Sequence, residues 1–250
     1  MAHALGYLSA KRRRLSRPVA VDAMLRACLG VVVAVWILSV SLHAQTPTAG
    51  QAVRFTVFAA QPIKDVAFAP RAKAAPQKVQ FYPTARSPRY EFRGAMPLRF
   101  VDATTGAVVA EATIPPGLRD PLLLFSPIEP AAAGGMRYQI AVLDDGAARH
   151  GPGGLAIINL SGLALSGTVN AEKVTLQAGL NPTLPVGRSA KIALSTVFKG
   201  RTYQAYAATT TLGRNERALL ILFPPFYKGA LEVQSRLLVD QPAGPTAAAR

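Results

Sequence analysis

From Val53 onward the chain alternates apolar and polar positions in short runs, or gathers apolar residues into short blocks, each bounded by Pro, Gly, Asn or Asp. The first half holds Val53 to Ala59 (VRFTVFA), Asp65 to Ala69, Lys78 to Tyr82, Leu98 to Asp102, Ala107 to Ile114 and Leu122 to Phe125. The second half holds Tyr138 to Leu143, Leu155 to Leu160, Lys173 to Leu176, Ala190 to Val197, Tyr203 to Thr210, Ala218 to Phe223 and Leu231 to Val239. Pieces of this length, rich in Val, Ile, Thr and aromatic residues, predict strands. No segment after Ala44 keeps apolar residues at i, i+3, i+4 and i+7 through three turns between capping residues, so little helix is expected. Asp145-Gly146 and Pro152-Gly153-Gly154 are read as turns between neighbouring strands.

Two of these strands recur. Pro121 to Pro127 (PLLLFSP) matches Ala218 to Pro224 (ALLILFP), and at nearly the same separation Met136 to Asp144 (MRYQIAVLD) matches Glu232 to Asp240 (EVQSRLLVD). Val53 to Ala59 can likewise be laid over Leu155 to Ser161. A duplication of this kind predicts an all-β chain of two tandem Ig-like β-sandwich domains, residues 45–147 and 148–243. The competing layout is one larger β-sandwich around a single core. Residues 244–250 have nothing to bury and are expected to be a disordered tail.

The N-terminus changes what chemistry is on offer. Lys11, Arg12, Arg13, Arg14, Arg17 and Arg26 precede an uncharged run from Ala27 to Leu42, which ends at His43-Ala44. A positive region, an apolar stretch and an alanine cleavage site predict a secretory signal peptide over residues 1–44. An uncleaved anchor in the inner membrane is the alternative, and Met24 begins a compact signal of its own. Cleavage after Ala44 removes Cys28, Trp36, His3 and His43. What remains has no cysteine and one histidine, His150, so no disulfide can form within the chain and stability must come from core burial. It also keeps 22 of the 28 basic and 12 of the 13 acidic residues, a charge of +10, which favours anionic surfaces or polymers.

Catalytic and metal chemistry find little support. A site for zinc, copper or iron needs several His, Cys or carboxylate ligands, and no cofactor is expected. Asp144-Asp145-Gly146 lacks the calcium-loop spacing and is read as a hairpin turn, and His150, in a Gly/Ala-rich stretch, as a solvated turn residue. Neither Ser161-Gly162 nor Ser166-Gly167 stands in G-x-S-x-G, and no acid sits where burial beside a second carboxylate is legible. P-loop and dinucleotide-binding glycine patterns are absent.

The most suggestive stretch runs from Lys64 to Phe100, where eight basic residues face only Asp65 and Glu91. Arg86, Arg89 and Arg93 are interleaved there with Tyr82 and Tyr90 (FYPTARSPRYEFR). Guanidinium forks grip phosphate or carboxylate, and exposed aromatic rings stack on flat faces. These five residues are the candidate binding set, with an anionic envelope polymer or an envelope protein as the partner class and no specific nucleic acid. The competing reading places Phe81 and Phe92 in the core with the arginines merely solvated.

The stretch YQIAVLDDGAARHGPGGLAIINLSGLALSG, from Tyr138 to Gly167, resembles a motif of an uncharacterised family of exported bacterial β-sandwich proteins. RNERALLILF, from Arg214 to Phe223, is similar to that family's penultimate strand, and PRYEFRGAMPLRF, from Pro88 to Phe100, is a weaker echo. The resemblance implies a fold and an exported compartment and carries no catalytic residue. Together these features predict a non-enzymatic binding or structural protein, periplasmic or secreted, that works at the cell envelope. The alternatives are a hydrolase whose carboxylate site the sequence does not advertise, and a periplasmic assembly chaperone, which would use an exposed edge strand.

Overall fold

Unbroken apolar blocks and alternating runs have different fates in a β protein: the former are covered on both faces of a sheet, the latter on one. The computed structural model describes residues 50–128 and 135–242. The expected signal peptide and tail lie outside them.

The strands of the first half are β1 (Gln51–Ala59), β2 (Val66–Phe68), β3 (Gln77–Lys78), β4 (Tyr90–Gly94), β5 (Leu98–Asp102), β6 (Val108–Ala112), β7 (Pro121–Pro127) and β8 (Tyr138–Asp144). Those of the second half are β9 (Gly154–Asn159), β10 (Leu165–Val169), β11 (Glu172–Leu176), β12 (Gly179–Leu180), β13 (Leu184–Pro185), β14 (Ser189–Phe198), β15 (Arg201–Thr211), β16 (Arg217–Pro225) and β17 (Val233–Asp240). The described residues contain no helix.

Four sheets result. In the first half β4-β1-β7-β8 faces β3-β2-β5-β6, and in the second β12-β9-β16-β17, with β13 also on β9, faces β11-β10-β14-β15. Pairing is antiparallel except for β1 with β7 and β9 with β16, which run parallel. The two halves thus share one strand plan, an all-β architecture of paired sandwiches.

Each half encloses its own apolar core. The first is aromatic, built on Phe55, Phe68, Tyr90, Phe92, Phe100 and Phe125. The second is aliphatic, built on Leu155, Ile157, Leu165, Ile192, Leu194, Leu220 and Leu222. A third core joins the halves: Phe58, Leu122 and Leu124 from β1 and β7 meet Ala156, Ile158, Leu219, Ile221 and Leu238 from β9, β16 and β17. This explains the unbroken blocks. In β7, Leu123 and Phe125 enter the first core while Leu122 and Leu124 enter the third, and β9 and β16 divide their side chains in the same way. The outer β14 (SAKIALSTVF) buries one face only, and its sequence alternates accordingly. The described residues form one compact unit that contains all three cores.

The register corrects the sequence overlay. Leu122 opposes Leu143 and Leu219 opposes Leu238, so Asp240 corresponds to Asp145 rather than to Asp144. Val57 opposes Leu123 and Ile157 opposes Leu220, which moves the β1 and β9 overlay by two residues and keeps every side chain on its face.

Four strands were not expected: β4, β10 and the two-residue β12 and β13 that pair with β9. β4 lies inside the basic aromatic stretch, and Tyr90 and Phe92 point into the core while Glu91 and Arg93 point out. β10 carries Gly167 in its interior, where a Cβ would collide with the Ala193 carbonyl of β14. The glycine is there because another backbone passes too close for a side chain.

Candidate functional site

The stretch from Tyr82 to Arg93 does not form one surface. Beyond Phe55, β1 loses β4 as its partner and Ser87 takes over: its amide donates to the Val57 carbonyl and its hydroxyl accepts from the Val57 amide. That crossing fixes Ser87 against the first sandwich and directs Arg86 toward the seam between the halves.

Arg86 is an internal clamp. Its side chain is 6 % exposed, and its Nε and one terminal nitrogen donate to both oxygens of Asp145 at 2.7 and 3.0 Å. The other terminal nitrogen donates to Asp240 at 2.9 Å. Arg217, at the start of β16, meets the same two acids and also donates to the backbone carbonyls of Asp145 and His150 at 2.7 and 2.9 Å. Asp145 and Asp240 follow or end corresponding strands of the two halves, so the repeat itself brings the acids together. Burial pushes the Asp145 carboxyl up, but the bond to His150 and the Arg86 and Arg217 charges outweigh it and hold the group below the usual range. A carboxylate kept ionised between two guanidiniums does not supply the proton that a glycosidase acid must donate.

His150 is the second correction. It is 2 % exposed, not solvated. Its Nε2 donates to the Ala218 carbonyl at 2.9 Å, and its Nδ1 lies 3.3 Å from Asp145. Asp144-Asp145-Gly146 is not a hairpin either, because β8 and β9 do not pair; it begins the connection between the sandwiches, and Asp145 is buried in it.

Tyr90 is likewise buried, tilted against Phe55 and edge-on to Phe68, and its hydroxyl accepts the Gln80 amide at 2.8 Å. Tyr82 is 41 % exposed and donates to Gln80. Phe81 and Phe92 pack in the first core, as the competing reading had them. Only Arg89 and Arg93 of the candidate set share a surface, and two arginines from elsewhere in the sequence join them.

That surface is the face of β1 and β4 that continues inward as the third core. Arg54 stands opposite Glu91, and Ala52 opposite Arg93, in the β1–β4 register. With Arg119, which precedes β7, they line a groove of about 400 Å³. Sharing Arg54 and Arg119, a second depression of about 660 Å³ continues past Arg89 and Asp120 to Asp144 and Arg217. Asp120 pairs with Arg54 at 3.6 Å and with Arg89 at 3.3 Å. Among the described residues no carboxylate lies in ion-pair range of Arg93 or Arg119. Four guanidiniums therefore stand along one groove with Glu91 and Asp120 between them and Asp144 and Asp145 at its far end, an arrangement able to fork onto phosphate or carboxylate oxygens.

Elsewhere, a depression of about 740 Å³ where β1, β7 and β16 end is lined by Ile63, Phe125, Ile128, Tyr138, Phe223 and Pro224 among others, with no acid, histidine or cation in its lining. Among the described residues no three His, Cys, Asp or Glu side chains gather at metal-binding distance, and no helix is long and apolar enough to cross a membrane.

Arg54 and Arg119 escaped the sequence reading because they lie far from residues 82–93 in the chain. For Arg54 a signal existed: it alternates with Val53 and Phe55 and so had to leave the core face. For the clamp no local signal existed, since its members come from four separate stretches. No protein-family model matches the chain, and no curated protein sequence matches it.

Proposed function

We propose that the protein is an exported, non-enzymatic module of the cell envelope that holds an anionic polymer in the groove of Arg54, Arg89, Arg93 and Arg119. The convergence of four arginines from three separate segments on one open face carries this reading. Arg54 and Arg89 are pre-oriented by Asp120, which lowers the ordering cost of binding. Arg93 and Arg119 remain available to displace water from an incoming oxyanion.

The test uses polyphosphate and polygalacturonate as probes across a salt series. Binding to the wild type should weaken steeply with salt. Arg93→Gln with Arg119→Gln should cut low-salt affinity about tenfold and flatten the logarithmic salt slope by roughly 1.5, because fewer counterions are released. Equal affinity and slope for both proteins would return the groove to an ordinary solvated face.

A second reading rests on β15. This strand closes its sheet, spans Arg201–Thr211, and has one charge, at its first residue, with no proline or glycine. Edge strands are ordinarily protected by such residues, and an unprotected edge suits strand addition by an extended partner. Hydrogen exchange supports this reading if β15 amides become protected when an extended threonine-valine peptide is added, and removes it if they exchange unchanged.

A further inference from the structure

Among the described residues, the large apolar side chains left exposed are not scattered. They are Tyr82, Val197, Phe198, Tyr203, Phe226, Tyr227 and Val239. Five of these seven flank or form two hairpin turns of the second sandwich. Val197, Phe198 and Tyr203 surround the β14–β15 turn, and Phe226 and Tyr227, at 73 % and 71 % exposed, form the tip between β16 and β17.

Strand direction places both tips at one end. Leu160, just past β9, bonds to Leu222 near the end of β16, so β10 starts at that end. Ser166 near the start of β10 opposes Ser195, which brings the end of β14 there too. The two sheets of a sandwich lie about 10 Å apart, and the tips extend from the same end of both. The apolar depression at Phe223 and Pro224 opens at this end as well.

Each aromatic tip carries a cation. Lys199 follows Phe198 with its ammonium 5.4 Å from the ring centre, Arg201 closes that turn, and Lys228 follows Tyr227. Within residues 195–203 and 223–233 the only carboxylate is Glu232. Lys199 and Gly200 form a two-residue turn with φ of 49° and 74°. Such turns favour Asn or Asp at the first position, so a lysine there keeps its charge at the tip against backbone preference.

We infer that this end of the second sandwich seats on an anionic lipid surface, with Phe198, Phe226 and Tyr227 in the interfacial layer and Lys199, Arg201 and Lys228 against the headgroups. Aromatic side chains favour the boundary between headgroup and acyl chain, and basic residues are drawn to anionic leaflets. The lysine and arginine charges choose a lipid surface of negative sign over a second copy of this basic chain. The inference is independent of the arginine groove, which is built on the first sandwich.

The chain from Gln45 keeps the whole compact unit and lacks tryptophan, so Phe226→Trp gives it a single fluorescent reporter at the tip. Vesicles of phosphatidylcholine with one-third phosphatidylglycerol should shift its emission to the blue, and vesicles of phosphatidylcholine alone should not. In co-sedimentation, Phe226→Ser with Tyr227→Ser should lower partitioning at least tenfold. Lys199→Gln with Lys228→Gln should lower it about thirtyfold at low salt. An unshifted reporter, equal partitioning onto neutral and anionic vesicles, or a blue shift that follows protein concentration without lipid would overturn the inference, the last pointing to self-association.

Discussion

The two sandwiches share a strand plan and differ in where they keep their aromatic rings. The first places Phe55, Phe68, Tyr90, Phe100 and Phe125 inside, in edge-on and tilted contacts with centroids 5.0 to 6.1 Å apart. The second fills its interior with Leu, Ile, Val and Ala and leaves Phe198, Phe226 and Tyr227 in solvent. A large ring contributes to stability when buried and exposes apolar surface when not. The first half therefore uses its aromatics to fold and offers charge at its surface. The second buries no Phe or Tyr ring fully, with Tyr206 and Phe223 only packed at the margins of the cores, and offers rings and lysines.

The same substitution in each half should expose the difference. Phe100→Ala empties a fully buried site and should cost about 3–5 kcal/mol. Phe226→Ala should change stability by less than about 0.5 kcal/mol. Urea unfolding of the two variants measures both, and comparable losses would mean that Phe226 packs inside the fold after all.

How much of this was legible follows from where each piece of information sits. Unbroken blocks such as LLLF in β7 and LAII in β9 revealed strands, because burial on both faces leaves a local trace. The alternation of Tyr90 and Phe92 with Glu91 and Arg93 is equally local, although it sits inside a stretch dominated by basic residues. The clamp left no trace at all. His150 stands in a Gly/Ala-rich stretch that looks solvated, and it is buried by the backbone of Ala218 and by Arg217. Arg86 looked no different from Arg93, since the crossing at Ser87 separates their fates and depends on the position of β1. Composition foretold a basic surface, and only the fold could say which arginines belong to it.

Acid titration sharpens the contrast between the seam and the surface. Asp145 and Asp102 are both held below the usual carboxylate range, Asp145 in the clamp and Asp102 at about 2 through the Thr105 and Thr104 amides and Arg137. A depressed folded-state value contributes stability that is present above the unfolded value near 3.9 and is lost as pH falls through the folded value. Asp145→Asn leaves Arg86 and Arg217 buried without their main counter-charge and should cost about 3 kcal/mol at pH 7. Below pH 4 the wild type loses that contribution as well, so the two stability curves should converge. Asp102→Asn removes a partly buried acid at the end of β5 whose cationic partner, Arg137, is 42 % exposed and open to solvent screening, and its curve should separate from the wild type far less at pH 7 while converging in the same acid window. Urea midpoints from pH 7 to pH 2 for the three proteins decide the matter. A D145N curve that stays parallel to the wild type throughout would show that the clamp acts through shape and hydrogen bonding rather than through the Asp145 charge.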